Sequence, residues 1–116
     1  MGHAAEAWGR LSDMLGRGNV DGVPELYAVD ALYLEPYNPP HRGNLLIQAY
    51  LKDWLAGKDD VAIDAKRVIE GDDGNSLGVE WAISYTAAGR RWNDLPRASF
   101  FAFAEDGRIN YHRDYT

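Results

Sequence analysis

"LGVEWAISYT", residues 77–86, alternates large apolar residues (Leu77, Val79, Trp81, Ile83 and Tyr85) with small or polar ones (Gly78, Glu80, Ala82, Ser84 and Thr86). A period of two puts all five large side chains on one face of a β-strand, so the stretch predicts a strand with one buried side. Upstream, Asp72, Asp73, Gly74 and Asn75 form a turn signal, and residues 61–69 read as the preceding strand. Downstream, Gly89 turns the chain into a long strand over 92–103, and Glu105, Asp106 and Gly107 turn it into a last strand over 109–115.

The first half keeps a different period. Leu46, Ile47, Tyr50, Leu51, Trp54 and Leu55 recur at three- and four-residue steps behind Asn44 as a cap and stop at Gly57, which predicts a helix with a wide apolar stripe. Ala4, Trp8, Leu11 and Leu15 predict another over 4–15, ended by Gly16 and Gly18. Asp21 is the expected N-cap of a short helix carrying Val23, Leu26 and Tyr27, with Pro24 in its first turn, and 30–36 reads as a strand. Helices first and a meander of strands afterwards give an α+β class, helices packed on one face of an antiparallel sheet. A sheet curled around a long helix should leave a hollow beside it.

The chain's 116 residues suit one domain spanning 1–116. Twelve Lys and Arg against 18 Asp and Glu give a net charge of -6, which argues against nucleic acid and anionic membrane surfaces as partners. No cysteine is present, so disulfides and thiolate chemistry are excluded. His3, His41 and His112 have no metal-ligand spacing, and no metal or cofactor is expected. No stretch approaches the ~18 apolar residues of a membrane span. A cytoplasmic protein is expected.

"DALYLEPYNPPHRG", residues 30–43, sets Glu35 directly after the apolar Leu32, Tyr33 and Leu34. Together with "DGRINYHRDY" at 106–115 and the order of helices and strands, it resembles the SnoaL-like branch of the nuclear-transport-factor-2-like superfamily, which includes ketosteroid isomerases and limonene epoxide hydrolases. The resemblance implies a cone: a curved mixed, mostly antiparallel sheet wrapped over three helices, a cystatin-like α+β roll with an apolar pocket. It puts Glu35 where isomerase-like members keep an aspartate base, and Asp114 where cyclase- and hydrolase-like members keep an acid facing the cavity. Tyr33 matches a cavity tyrosine of the epoxide hydrolases. Two departures stand out: Trp81 and Ile83 replace the arginine and aspartate of the epoxide hydrolases, and Leu11 replaces the oxyanion-holding tyrosine of the isomerases.

Alternation extends the set. If Asp114 points inward so does His112, and the inward positions of the preceding strand are Leu95, Arg97, Ser99 and Phe101. The expected catalytic residues are Glu35, Asp114, His112 and Tyr33, and the expected ligand wall is Trp54, Trp81, Ile83, Tyr85, Arg97, Ser99 and Phe101. A carboxylate held among tryptophans should have a raised pKa and act as a base near neutrality. These residues suit a cofactor-free isomerase or cyclase that moves a proton on an apolar carbonyl or polycyclic compound, with Glu35 as base, Asp114 and His112 as acid or orienting pair, and Tyr33 and Arg97 as oxyanion donors. Alternatives are a module that only binds a small apolar molecule, structural salt bridges of Glu35 or Asp114 with Arg97, Arg42 or Arg113, and epoxide hydrolysis by a water between Asp114, Tyr33 and Glu35. On the other sheet face Ala82, Ala98, Phe100 and Ala102 would leave an apolar patch, so a homodimer through the sheet is expected.

Overall fold

Trp8, Leu11 and Leu15 share one face of α1 (His3–Arg17) and are buried with Ala4 and Ala7, as their spacing predicts. The chain forms a computed structural model that describes residues 3–116. After α1 come α2 (Val23–Leu26), β1 (Tyr27–Leu34), β2 (His41–Arg42), α3 (Asn44–Leu55), β3 (Asp59–Glu70), β4 (Ser76–Ala87), β5 (Arg90–Phe103) and β6 (Ile109–Tyr115). The strands form one mixed sheet in the order β2-β1-β6-β5-β4-β3. Only β1 and β6 run parallel; every other neighbour pair is antiparallel. This is the cone-shaped α+β fold expected from the sequence, with the helices on the concave face.

Local differences have local causes. α2 is a single turn because Tyr27, expected in the helix, turns extended at φ -103° and opens β1; its cap is Gly22, and the Asp21 backbone N–H instead donates to Asn19 Oδ1. Asn44 is the first residue of α3, not its cap, and its side-chain amide donates to the Pro24 carbonyl. Gly43 takes the cap position at φ 96°, where a Cβ would also meet the Val29 carbonyl oxygen at 3.2 Å, so only glycine fits this corner easily. Directly after the prolines at 36–40 comes β2, whose His41 pairs opposite Tyr33. In α3 the buried row is Ile47, Leu51 and Leu55, while Leu46 remains 61% exposed at the helix's outer end.

Among several register shifts in the sheet, two bulges bear on the site. An extra residue in β3 between Ala65 and Arg67 puts Arg67 and Ile69 opposite Glu80 and Gly78, on the convex face. An extra residue in β5, with Asp94 at φ 54°, lies between the Ile83–Leu95 and Tyr85–Trp92 pairs and bends the sheet at the open end of the cone. On the convex face Ala82 is covered after all, flanked by Asp64 and Pro96, while Phe100 is half exposed. No helix among the described residues is long and apolar enough to cross a membrane.

Candidate functional site

Strand register assembles the site. Parallel pairing sets Tyr33 beside His112, and antiparallel pairing sets Ser99 beside Asp114 and Phe101 beside His112. Because His112 and Asp114 are two apart on β6, both face the helices, at 3% and 4% exposure. The His112 ring is stacked between Tyr33, 4.0 Å away, and Phe101, 4.3 Å away.

Asp114 is the hub. Its Oδ1 accepts hydrogen bonds from Ser99 Oγ at 2.6 Å and His112 Nε2 at 2.7 Å. Its Oδ2 accepts from Tyr33 Oη and faces Arg97 Nη2 at 3.8 Å. Outside this ring, Trp81 Nε1 donates to Ser99 Oγ at 2.9 Å, and Tyr27 Oη meets His112 Nδ1 at 2.8 Å. Three donors thus occupy lone-pair directions of the carboxylate, and Arg97 adds a positive charge at ion-pair distance. Burial pushes the Asp114 carboxyl up, but the charge and hydrogen bond of His112, followed by the bonds from Ser99 and Tyr33, bring it down to about 2. The expectation of a raised pKa fails here because the tryptophan-lined chamber is polar where Asp114 enters it. Burial, and next the Asp114 charge, push the Tyr27 and Tyr33 hydroxyls well above their usual value, so both stay protonated donors.

The hollow expected beside the helix is almost filled. Trp8, Leu11 and Leu15 of α1, Leu51 and Trp54 of α3, and Tyr33, Trp81, Ser99, His112 and Asp114 of the sheet line a void of about 10 Å3. That is close to the room one water needs.

Glu35 lies elsewhere, half-buried just past the end of β1, where it accepts from Tyr37 N at 3.2 Å and from the Asn38 amide. Burial first, then the charge and hydrogen bond of Glu35 and more weakly the Asp114 charge, push the Tyr50 hydroxyl up, while Arg97 opposes them. Asp114 lines the void and Glu35 does not. Of the expected wall, Trp54, Trp81 and Ser99 line the void, Ile83 and Phe101 belong to the packed core, and Tyr85 is partly buried toward the open end. Arg97 is inward-facing beside Trp81, its guanidinium 5.6 Å from that ring, and its Nε is buried without a hydrogen-bond partner.

Sequence reasoning missed four contributors. His41 stacks on Tyr50 at 4.1 Å, Tyr27 bonds His112, Tyr50 packs edge-on against Tyr33 at 5.4 Å, and Lys58 lies over Trp54 and Tyr85. The "PPHRG" segment at 39–43 gave no strand signal for His41. Lys58 follows the helix stop and reaches Tyr85 only through the fold.

Residues 8–112 match the SnoaL-like domain family. Among solved structures the chain is similar to a steroid delta-isomerase from Pseudomonas aeruginosa, with 24% identity, a TM-score of 0.73, and 98% of this chain and 79% of that one covered. It is also similar to a limonene-epoxide-hydrolase-like epoxide hydrolase of Mycobacterium tuberculosis, with 22% identity, a TM-score of 0.78 and coverage of 97% and 81%. A protein assigned as a SnoaL-like polyketide cyclase from Jannaschia sp. CCS1 is 16% identical, with a TM-score of 0.83 and coverage of 97% and 84%. No curated protein matches the sequence. These identities speak for the fold alone.

Proposed function

Because this chain belongs to the SnoaL-like domain family, within the nuclear-transport-factor-2-like superfamily, we propose that it is a cofactor-free enzyme moving a proton on an apolar cyclic carbonyl compound, as an isomerase or cyclase does. The observation that carries this reading is Arg97 Nε: a buried donor with no partner, next to an ionised carboxylate, at the edge of an aromatic chamber. Leaving such a donor unpaired costs about 1–3 kcal/mol, which a substrate oxygen would recover. Tyr33 has spent its one proton on Asp114, so Arg97 is the better donor to a developing enolate. Asp114, holding three hydrogen bonds and weakly basic, positions Arg97 and Tyr33. Glu35, which accepts from Tyr37 N and the Asn38 amide, takes the proton.

The test is deuterium incorporation at the α-carbon of cyclic enones and polycyclic ketones in D2O, followed by NMR. Exchange about 100-fold above buffer is expected for at least one class; exchange at the buffer rate throughout would remove the proposal. A second reading is a non-catalytic module of the same fold, and the void of about 10 Å3 favours its form in which the chamber is filled by the protein's own tryptophans and tyrosines. Epoxide hydrolysis has less support, since Trp81 and Ile83 stand where the resemblance would require an arginine and an aspartate.

A homodimer through the convex face accompanies this reading. An open groove of about 560 Å3 runs there past Ile69, Gly78, Ala98, Phe100, Ala102 and Tyr111, with Arg67, Glu70 and Glu80 at its margin. Gly78 leaves space for the Phe100 ring, which a Cβ would meet at 3.2 Å. Phe100 and Ile69 are 50% and 59% exposed, a poor arrangement for a lone chain. Sedimentation at micromolar concentration is expected to give a dimer for the wild type and a monomer for Phe100→Glu; a monomeric wild type would count against the interface.

A further inference from the structure

Of the ten residues that line the void of about 10 Å3, nine are at most 7% exposed, and only Trp54 is partly open to solvent. Its place on the chain explains this. Trp54 is in the last turn of α3, just before the end at Leu55 and the turn at Gly57, where φ is 78°. The Lys58 N–H, which a continuing helix would give to the Trp54 carbonyl, goes to Leu55 instead, and the Lys58 ammonium takes the freed carbonyl. The same ammonium lies 4.7 Å from the Trp54 ring centre and 5.2 Å from that of Tyr85, so it fastens the indole to β4. The other two tryptophans of the chamber are held from within: Trp81 donates to Ser99 Oγ, and Trp8 leans on Trp81 at 5.6 Å and on Phe101 at 6.0 Å. Among the described residues, the Trp54 ring has neither kind of contact.

We propose that Trp54 is the gate and the size filter of this chamber: its indole swings outward to admit the substrate, whose rings take the room that the indole leaves. The proposal rests on the chamber being the substrate site, as read under Proposed function, and narrows the substrate to compounds of one or two fused rings. A void with room for one water cannot hold a cyclic carbonyl compound, so a wall has to move before one can reach Asp114. Moving Trp8 or Trp81 would break contacts inside the core. Moving Trp54 gives up one cation–π contact and exposes further a ring that solvent already reaches. The room released is that of an indole, on the order of the ~150 Å3 that receives a benzene ring in a protein interior. Two fused rings match it and three exceed it. A tryptophan that merely fills the core would stay in place when a ketone binds.

The probes are 1-indanone, with two fused rings, and 9-fluorenone, with three. In protein labelled with 5-fluorotryptophan, 19F NMR resolves the four tryptophans and Trp54→Phe assigns the resonance of Trp54. On titration of the wild type with 1-indanone, Trp54 alone among Trp8, Trp54 and Trp81 is expected to take up the H2O/D2O shift of an exposed ring. Trp54→Ala, in which the gate stands open, should bind 1-indanone about 10- to 100-fold more tightly, as for a competent state populated at roughly 1–10% in the wild type. Lys58→Met, which loosens the fastening, should bind it about two- to fivefold more tightly. The wild type should bind 9-fluorenone at least about tenfold more weakly than 1-indanone. A Trp54 resonance that stays buried with 1-indanone bound, equal affinity of wild type and Trp54→Ala, equal binding of the two ketones, or no 1-indanone binding at millimolar concentration would each overturn the proposal. The 19F measurement decides the gate even where Trp54→Ala fails to fold. Deuterium exchange on ketones by a protein whose Trp54 stays buried would keep the proton-transfer reading and refute this one, and a gate that opens for ketones that never exchange would do the reverse.

Discussion

Glu35→Gln is expected to lower turnover of a cyclic carbonyl substrate by about 10^2–10^4-fold, the usual contribution of a positioned general base. Binding and folding should barely change. Glu35 is half-buried, and its two hydrogen bonds come from within three residues, the Tyr37 amide and the Asn38 side chain. A glutamine oxygen can keep the first, so the variant should lose no more than about 1 kcal/mol of stability. A base must be able to hold the proton it takes. Asp114, at a pKa of about 2 with its oxygens already occupied, is poorly suited to that at neutral pH. Steady-state rates for Glu35→Gln, Asp114→Asn and wild type decide between them: a Glu35→Gln enzyme retaining full kcat would move the base elsewhere.

What the sequence revealed follows from where periodicity is strict. The alternation of residues 77–86 and the parity of His112 and Asp114 on β6 are properties of extended backbone, and they placed the inward faces of β4, β5 and β6. The bulge in β3, by contrast, reverses the faces of Arg67 and Ile69, and nothing in "DAKRVIE" at 64–70 signals it. Hydrogen bonding was equally hidden. Asp114 sits among tryptophans, which alone would raise its pKa, but two of its partners, Tyr33 on β1 and Ser99 on β5, reach it from other strands, and only register brings them to it. Volume escaped altogether, since alternation tells which side chains face the chamber but not that Trp8, Trp54 and Trp81 fill it.

Asp114→Asn should cost about 3 kcal/mol of folding stability, the lower end for removing one partner of a buried ion pair, because Arg97 keeps 19% of its side chain exposed. An asparagine has the right shape and the wrong polarity. If its oxygen takes the bonds from Ser99 and His112, its amide hydrogens point at Tyr33 Oη and Arg97, donors facing donors. Acid should expose the same energy in the wild type. The folded carboxyl titrates at about 2 against 3.8 when unperturbed, so the ionised form is what folding favours. Its stabilisation is complete above pH ~4 and is lost as the pH falls through ~2; the depression from 3.8 to about 2 corresponds to roughly 2–3 kcal/mol. Urea unfolding of both proteins at pH 7, 4 and 2.5 isolates this contribution as a difference, because the exposed carboxylates are common to both. The gap between wild type and Asp114→Asn should be constant down to pH 4 and narrow below it. A gap that persists unchanged to pH 2.5 would mean that the charge of Asp114 is not what holds Tyr33, Ser99, His112 and Arg97 together.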